Sequence, residues 1–166
     1  MIPWFGAAGS ALSRALLAAL ISLAAAGMAV AADPVLQVVS TDGQTLDLSL
    51  EDLELLPQTI VATENEFSDG VVSYRGPLVR DVLALAGLEA LDEVRFTAAN
   101  DYFVDIPTSD FTDYDTILAM EANGERLSRR EKGPLWLMYP ISDHSELRDP
   151  IYMRRLIWQV VRVERP

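Results

Sequence analysis

The chain has 166 residues, of which 25 are acidic and 13 are basic, and it contains one His and no Cys. Its formal net charge of −12 argues against a nucleic-acid partner, because phosphate binding needs a concentrated positive surface. The lack of Cys excludes disulfides, Cys-ligated zinc, iron–sulfur clusters and thiol nucleophiles. Half of the residues are apolar, which is typical of a globular domain and not of a disordered chain.

Residues 1–32 differ in composition from the rest of the chain. Arg14 is their only charged residue, and it precedes an apolar run and then small residues that end at Ala31 and Ala32. This pattern predicts a cleavable signal peptide, cut after Ala31 or Ala32, and a periplasmic mature domain at 33–166. The alternative is an uncleaved membrane anchor, since the uncharged run is just long enough to span a bilayer. Arg14 has no Arg neighbour, so we expect general export and not twin-arginine export.

The first part of the mature region predicts a hairpin and a short helix. Apolar residues at 35–40 and 45–48 predict two strands, and Asp42-Gly43 between them favours a tight turn. Ser49 is a good N-cap for a helix at 50–55, which ends before a proline.

The next segments predict two strands and the clearest helix of the chain. We expect a buried strand at 60–63 and a further strand at 71–75. Gly76 and Pro77 then open a helix with one apolar face, and Gly87 supplies its C-terminal cap.

The second half of the mature region is rich in strand patterns. Apolar side chains that alternate or form short runs predict strands at residues 94–98, 102–106, 135–139 and 156–163. A bulge or a turn is expected at 99–101, and Asn123-Gly124 favours another hairpin. These elements predict a single α+β domain with a mixed, largely antiparallel sheet and few helices.

Few side chains of this region suggest chemistry by themselves. Arg129, Arg130 and Lys132 belong to the one concentrated basic segment, which could receive an anion. Nearby glutamates make a salt-bridged loop the alternative. Trp136 and Trp158 fall in predicted strands, so we expect core packing for both and not a stacking platform.

Four segments occur in a characteristic order: YRGPLVRDVLALAG at 74–87, ANDY at 99–102 with IP at 106–107, ILAMEANGERL at 117–127, and KGPL at 132–135 with a proline at 140. Together they resemble the sulfite-oxidase-type molybdopterin-binding oxidoreductase domain over about residues 60–163. The resemblance implies a sheet-and-helix domain whose loops hold a pterin cofactor.

The resemblance also implies where the metal of the catalytic members is held. In those members, a Cys thiolate on the loop after the strand that precedes the helix motif ligates molybdenum. Residues 61–65 occupy that place here, and neither Thr63 nor Glu64 offers a soft sulfur donor. Trp136 stands where the family has an Arg. We therefore expect no molybdenum redox catalysis, no catalytic residue, no metal ligand and no bound cofactor, although the resemblance leaves molybdopterin possible.

We expect the family's cofactor cleft to serve as a binding site for a small anionic or pterin-like ligand, or for a periplasmic or membrane protein. Its predicted residues have hydrogen-bonding or anion-receiving roles, and they are Thr63, Glu64, Asn65, Asn100, Asp101, Tyr102, Arg129, Arg130 and Lys132. Two alternatives remain open. One is a molybdopterin-dependent oxidoreductase with Glu64 as a hard metal ligand, and the other is a periplasmic sensor or accessory subunit of a membrane protein.

Overall fold

The computed structural model describes residues 33–166. The predicted signal peptide and the alternative membrane anchor, both at residues 1–32, lie outside the described residues. None of the helices from residue 33 onward combines the length and the apolar character that crossing a bilayer requires.

The described residues form eleven short strands and four short α-helices. The strands are β1 (Leu36–Val39), β2 (Thr45–Leu48), β3 (Gln58–Thr63), β4 (Val72–Pro77), β5 (Glu93–Ala98), β6 (Phe103–Pro107), β7 (Ile117–Ala119), β8 (Glu121–Ala122), β9 (Glu125–Arg126), β10 (Trp136–Met138) and β11 (Val160–Glu164). The helices are α1 (Leu50–Glu54), α2 (Val79–Ala84), α3 (Ser109–Asp113) and α4 (Pro150–Arg155), with 3₁₀ turns at Arg129–Glu131 and Ser145–Arg148.

The strands are arranged in three sheets. The largest has the order β2-β1-β11-β5-β6, the second has the order β3-β4-β8-β9, and β7 pairs with β10. Strands β1 and β11 run parallel, and the other pairs are antiparallel. The predicted α+β class with a mixed, largely antiparallel sheet is therefore confirmed.

Local turn and cap residues explain the first elements. Gly43 adopts a φ of +85° in the turn between β1 and β2. Ser49 Oγ accepts the Asp52 N–H at 3.1 Å, while the Asp52 carboxylate accepts the Ser49 N–H at 2.9 Å. This reciprocal pair satisfies two amide groups at the start of α1, so both the hairpin and the helix are confirmed.

The start of the second helix differs from the prediction. Pro77 is the last residue of β4, and α2 begins at Val79. Gly76 lies so close to β7 that a Cβ atom there would be 1.9 Å from the Leu118 carbonyl oxygen. The glycine thus permits the packing of two strands and does not open a helix. The predicted end is confirmed, since Gly87 has a φ of +68° just beyond α2.

Strand β3 is not the fully buried strand that was predicted. Val61 and Thr63 are buried, whereas Ile60 is 65% exposed. Among residues 33–166, the strand lies at the outer edge of its sheet, with β4 as its one neighbour. One face of β3 therefore packs on the core and the other faces solvent.

The C-terminal region contains a helix that the sequence analysis missed. The last strand was predicted to begin at residue 156, but it begins at Val160. Helix α4, at Pro150–Arg155, lies before residues 156–159. Asp149 caps α4 by accepting the Ile151 N–H at 2.9 Å, and Pro150 occupies its first turn. The Asp-Pro pair was the available signal, because Asp favours the N-cap position and Pro the first helical position.

The core combines alternating side chains of the large sheet with all the side chains of the two-stranded β7–β10 sheet. Val94, Phe96 and Ala98 of β5 are buried, as their alternation predicted. Every residue of β7 and β10 is buried. Phe96 contacts Phe111 of α3 with ring centroids 5.7 Å apart, which joins the large sheet to that helix.

Candidate functional site

Thr63 is the residue at the end of β3, near the place where the resemblance implies a metal-ligating Cys. Its side chain is 0% exposed. Thr63 Oγ1 accepts the Ser142 N–H at 3.1 Å and donates to the Glu64 carbonyl oxygen at 3.2 Å. Ser142 Oγ in turn accepts the Glu64 N–H at 3.0 Å. The Thr63 hydroxyl therefore fastens β3 to the segment after β10.

The two residues after Thr63 have different roles. The exposed Glu64 carboxylate lies 3.4 Å from an Arg148 guanidinium nitrogen. The Asn65 side-chain amide donates to Tyr74 Oη at 3.3 Å, while its oxygen accepts the Phe67 N–H at 2.8 Å. Burial raises the pKa of Tyr74, so this phenol stays protonated at neutral pH. Asn65 thus holds the 64–70 loop against the body of the domain.

The 99–102 turn brings Tyr102 against α4. Asp101 adopts a φ of +65°, and the Asn100 side chain accepts the Tyr102 N–H at 3.2 Å. Tyr102 Oη donates to the Arg154 carbonyl oxygen at 3.3 Å. The Tyr102 side chain remains 48% exposed, and its ring forms part of an open surface.

Lys132 ends the basic segment in a cluster of aromatic rings. Its backbone has a φ of +69°. Its ammonium nitrogen lies 5.1 Å from the ring centroid of Phe67, 4.9 Å from that of Trp136 and 5.9 Å from that of Trp158. Such contacts attract a cation to the negative ring faces. Lys132 therefore already has partners within the chain.

Phe67 and Trp158 are residues that the sequence analysis did not assign to the site. Trp158 is 37% exposed, so the expectation that it belongs to the core is wrong. Trp136 is buried and its indole N–H donates to the Leu156 carbonyl at 3.1 Å, which confirms core packing for that residue. Phe67 meets the edge of Trp158 with centroids 5.3 Å apart. A lone aromatic in the polar sequence ENEFSDG was the signal for Phe67.

Three hollows surround the 64–70 loop. The aromatic hollow has a volume of about 330 Å³, and its walls include Phe67, Asn100, Tyr102, Arg154 and Trp158. The charged hollow, of about 600 Å³, is bordered by Asp69, Arg126, Arg130, Glu131 and Lys132. The loop hollow, of about 280 Å³, is lined by Glu64, Asn65 and Arg148 together with neighbouring residues. Phe67 borders both the aromatic hollow and the charged hollow.

The nine predicted site residues are therefore distributed over several places. Asn100 and Tyr102 line the aromatic hollow, Arg130 and Lys132 the charged hollow, and Glu64 with Asn65 the loop hollow. Thr63, Asp101 and Arg129 line none of these three hollows. That any of the nine residues binds a ligand remains a prediction.

A buried polar centre is formed by Asp110, Tyr139 and Arg155, the last of which belongs to α4. Asp110 accepts a hydrogen bond from Tyr139 Oη at 2.7 Å and forms an ion pair with Arg155. Both ion-pair side chains are largely buried. Burial and the Asp110 charge raise the pKa of Tyr139 well above its usual value, so the phenol remains protonated. Every member of this centre has a partner within it, and neither Tyr139 nor Arg155 was predicted from the sequence as a site residue.

Comparisons with known proteins agree with this fold. The family model described as "Oxidoreductase molybdopterin binding domain" matches residues 30–142. The chain belongs to this family. The predicted resemblance is thereby confirmed.

One solved structure that the domain resembles is the crystal structure of the sulfane dehydrogenase SoxCD from Paracoccus pantotrophus. The match has a TM-score of 0.57 and 22% sequence identity, and it covers 78% of this chain. Because this chain spans only 37% of the length of that chain, the likeness describes the fold of one part of it. No curated protein matches the chain.

The residues of this chain do not fit a molybdenum ion held as the family resemblance implies. The stretch 61–65, where the resemblance implies a Cys thiolate, contains no Cys, and the Thr63 hydroxyl within it is buried and hydrogen-bonded to the backbone. A neutral oxygen donor is harder than sulfur and does not reproduce its bonding to the metal. Within residues 33–166, no three side chains of the His, Asp or Glu type gather in a group that could hold a metal ion.

Proposed function

We propose that the chain is an exported, ligand-binding member of the molybdopterin-binding oxidoreductase domain family that performs no molybdenum redox catalysis. The observation that carries this proposal is the state of Thr63. Its hydroxyl is fully buried and already hydrogen-bonded to Ser142 and Glu64, within the stretch 61–65 where the family resemblance implies a metal-ligating Cys. The chain contains no Cys that could substitute from another position.

The aromatic hollow is the proposed ligand site. Its volume of about 330 Å³ falls at the lower end of the range of small-molecule sites. Phe67, Tyr102 and Trp158 present ring surfaces to it while each remains more than a third exposed. Exposed aromatic surfaces around a hollow favour a flat, conjugated ligand, because stacking on them replaces their contact with water.

The polar residues at the margin narrow the ligand class. Asn100 provides a side-chain amide, and Arg154 provides a positive charge. Glu66 also borders the hollow, and it disfavours a second negative charge on the ligand. A planar, pterin-like heterocycle with a single anionic group satisfies these features and agrees with the family to which the chain belongs.

Calorimetric titration with pterin-6-carboxylate, a flat and singly anionic probe, tests the proposal. The protein is purified and dialysed against a chelator before titration. We expect saturable binding by the wild-type chain and weaker binding by Trp158→Ala. Loss of one stacking partner costs about 1–3 kcal/mol, or about 5-fold to more than 100-fold in affinity.

Leu85→Ala is the matched control, because Leu85 is also an exposed apolar side chain but lies at the end of α2, outside the aromatic hollow. It should bind the probe like the wild type. Absence of saturable binding up to about 1 mM probe would contradict the ligand class. Equal affinity of Trp158→Ala and the wild type would show that the probe does not bind in the aromatic hollow.

A further inference from the structure

Four strands lie at the outer edges of the two larger sheets, and one of them differs from the other three. Strand β2 carries Asp47, β6 carries Asp105 and Pro107, and β9 consists of Glu125 and Arg126. Strand β3, with the sequence QTIVAT, has neither a charged residue nor a proline. Charges and prolines on outer strands prevent edge-to-edge pairing between molecules. Strand β3 lacks this protection.

The backbone direction of β3 follows from the hydrogen bonds of β4. The carbonyl groups of Ser73 and Arg75 accept N–H groups from the segment around β8, at 2.7 Å and 2.8 Å. Backbone groups alternate in direction along an antiparallel strand, so Tyr74 between them faces β3. Tyr74 is opposite Val61, which therefore directs its N–H and C=O towards β4.

The residues on either side of Val61 point the other way. By the same alternation, the backbone groups of Gln58, Ile60 and Ala62 face away from β4. No strand among residues 33–166 pairs with this edge. Ile60 and Ala62 also have exposed side chains. This edge therefore offers both backbone hydrogen-bonding groups and apolar side chains to a partner.

We propose that β3 pairs antiparallel with β3 of a second copy of this chain, about a twofold axis at Ile60. Ile60 then lies opposite Ile60 of the other copy, and Gln58 lies opposite Ala62. All three residues direct their backbone groups outward, so the pairing is self-complementary. The two four-stranded sheets become one sheet of eight strands.

The contacts of Glu64 fix the register of this pairing. Shifting the axis to Val61 would place Gln58 opposite Glu64, whose N–H already donates to Ser142 Oγ at 3.0 Å. The axis at Ile60 needs only residues 58–62, whose outward groups are available. The pairing therefore ends before Glu64.

The outward groups of Gln58, Ile60 and Ala62 are symmetric about Ile60, which favours a second copy as the occupant, and the neutral strand adds no local repulsion at the axis. A twofold axis places identical side chains near one another, and like charges directly opposite destabilise a strand pair. Strand β3 is neutral, so it is the outer strand on which two chains of net charge −12 meet with the least repulsion. A neutral edge also gives a foreign strand no charge pattern to select.

Sedimentation velocity on the protein expressed from its full-length gene tests this inference. At physiological ionic strength of about 0.15 M, the net charge is screened over about 8 Å. We expect a concentration-dependent monomer–dimer equilibrium for the wild type. Ile60→Lys should weaken dimerisation at least 10-fold (about 1.4 kcal/mol), because two lysines would face each other at the axis. Leu85→Lys is the control, since it adds the same charge at an exposed apolar position outside the sheets, and it should dimerise like the wild type.

Amide hydrogen exchange supplies a second measurement, independent of the folding of any one variant. In the wild type, the Ile60 and Ala62 amides should become more protected as protein concentration rises. If Ile60→Lys does not fold, Ala62→Lys replaces it with the same expected loss of dimer. A wild-type chain that stays monomeric up to about 1 mM would overturn the inference. Dimerisation unaffected by the lysine, or protection independent of concentration, would overturn it as well.

Discussion

Two adjacent arginines of α4 face two different kinds of surroundings. Arg155 turns inward, where its guanidinium pairs with the buried carboxylate of Asp110. Arg154 is exposed and borders the aromatic hollow. The inner centre has satisfied its charges within the chain, whereas the hollow exposes ring surfaces to water. We infer that the inner centre, formed by Asp110, Tyr139 and Arg155, stabilises the fold. The proposed ligand binds on the outer side of α4, in the aromatic hollow.

Removing the buried negative charge of Asp110 should have the largest effect on stability, and it tests whether the inner centre stabilises the fold. Asp110→Asn should lower the free energy of unfolding by about 3–5 kcal/mol, because it leaves Arg155 buried without a counter-charge. Denaturant unfolding followed by circular dichroism measures this loss. Ligand binding in the aromatic hollow should change little as long as the variant is folded.

Asp105→Asn is the matched control for that prediction. Asp105 also pairs with an arginine, Arg95, at 2.7 Å, but both side chains are 31% exposed. Solvent screens this partly buried pair more than the Asp110–Arg155 pair, so the loss should be smaller than for Asp110→Asn although Arg95 holds Asp105 by two hydrogen bonds. Equal losses in the two variants would show that burial does not distinguish the two pairs.

A smaller effect is expected at the phenol of the inner centre. Tyr139→Phe removes the hydrogen bond to Asp110 and should cost about 1–3 kcal/mol at neutral pH. The pKa of Tyr139 is raised in the folded protein, so above about pH 10 the unfolded chain loses this proton first. Wild-type stability should therefore fall as the pH rises past 10, and the fall should be shallower in Tyr139→Phe.

Tyr114 also contributes to the fall in stability above pH 10, so Tyr139→Phe removes only part of that fall. The neighbouring Tyr152 raises the pKa of Tyr114 to about 12, so Tyr114 also destabilises the folded state as the pH rises past 10. Thermal unfolding across this pH range measures both slopes. Identical slopes for the wild type and Tyr139→Phe would argue against a protonated phenol at the inner centre.

Much of the fold could be predicted from the sequence because short-range signals determine it. Asp42-Gly43 and Asn123-Gly124 mark turns by their backbone preferences, and Ser49 marks a helix start by its side chain. The error at Pro77 has a long-range cause. Gly76 is required by its approach to Leu118, and no local pattern indicates a contact so distant in the chain.

The site was less predictable, for the same physical reason. The sequence indicated three of the segments that border the hollows, yet it could not show that Phe67 borders two of these hollows. It indicated Lys132 as a cation but not the aromatic rings over which the ammonium lies. Such features depend on packing between segments that are far apart in sequence, and not on propensities within one segment.

The molybdenum content of the native protein tests directly whether the chain holds this metal without a Cys ligand. The chain is purified under mild conditions from cells grown with excess molybdate, and its metal is measured by mass spectrometry and by electron paramagnetic resonance. A Cys-containing member of the family, prepared in parallel, shows that the cells can load the cofactor. We expect no stoichiometric molybdenum and no Mo(V) signal, because Thr63 offers only a buried, hydrogen-bonded hydroxyl. One molybdenum per chain with such a signal would show that the chain binds the redox metal without a Cys ligand.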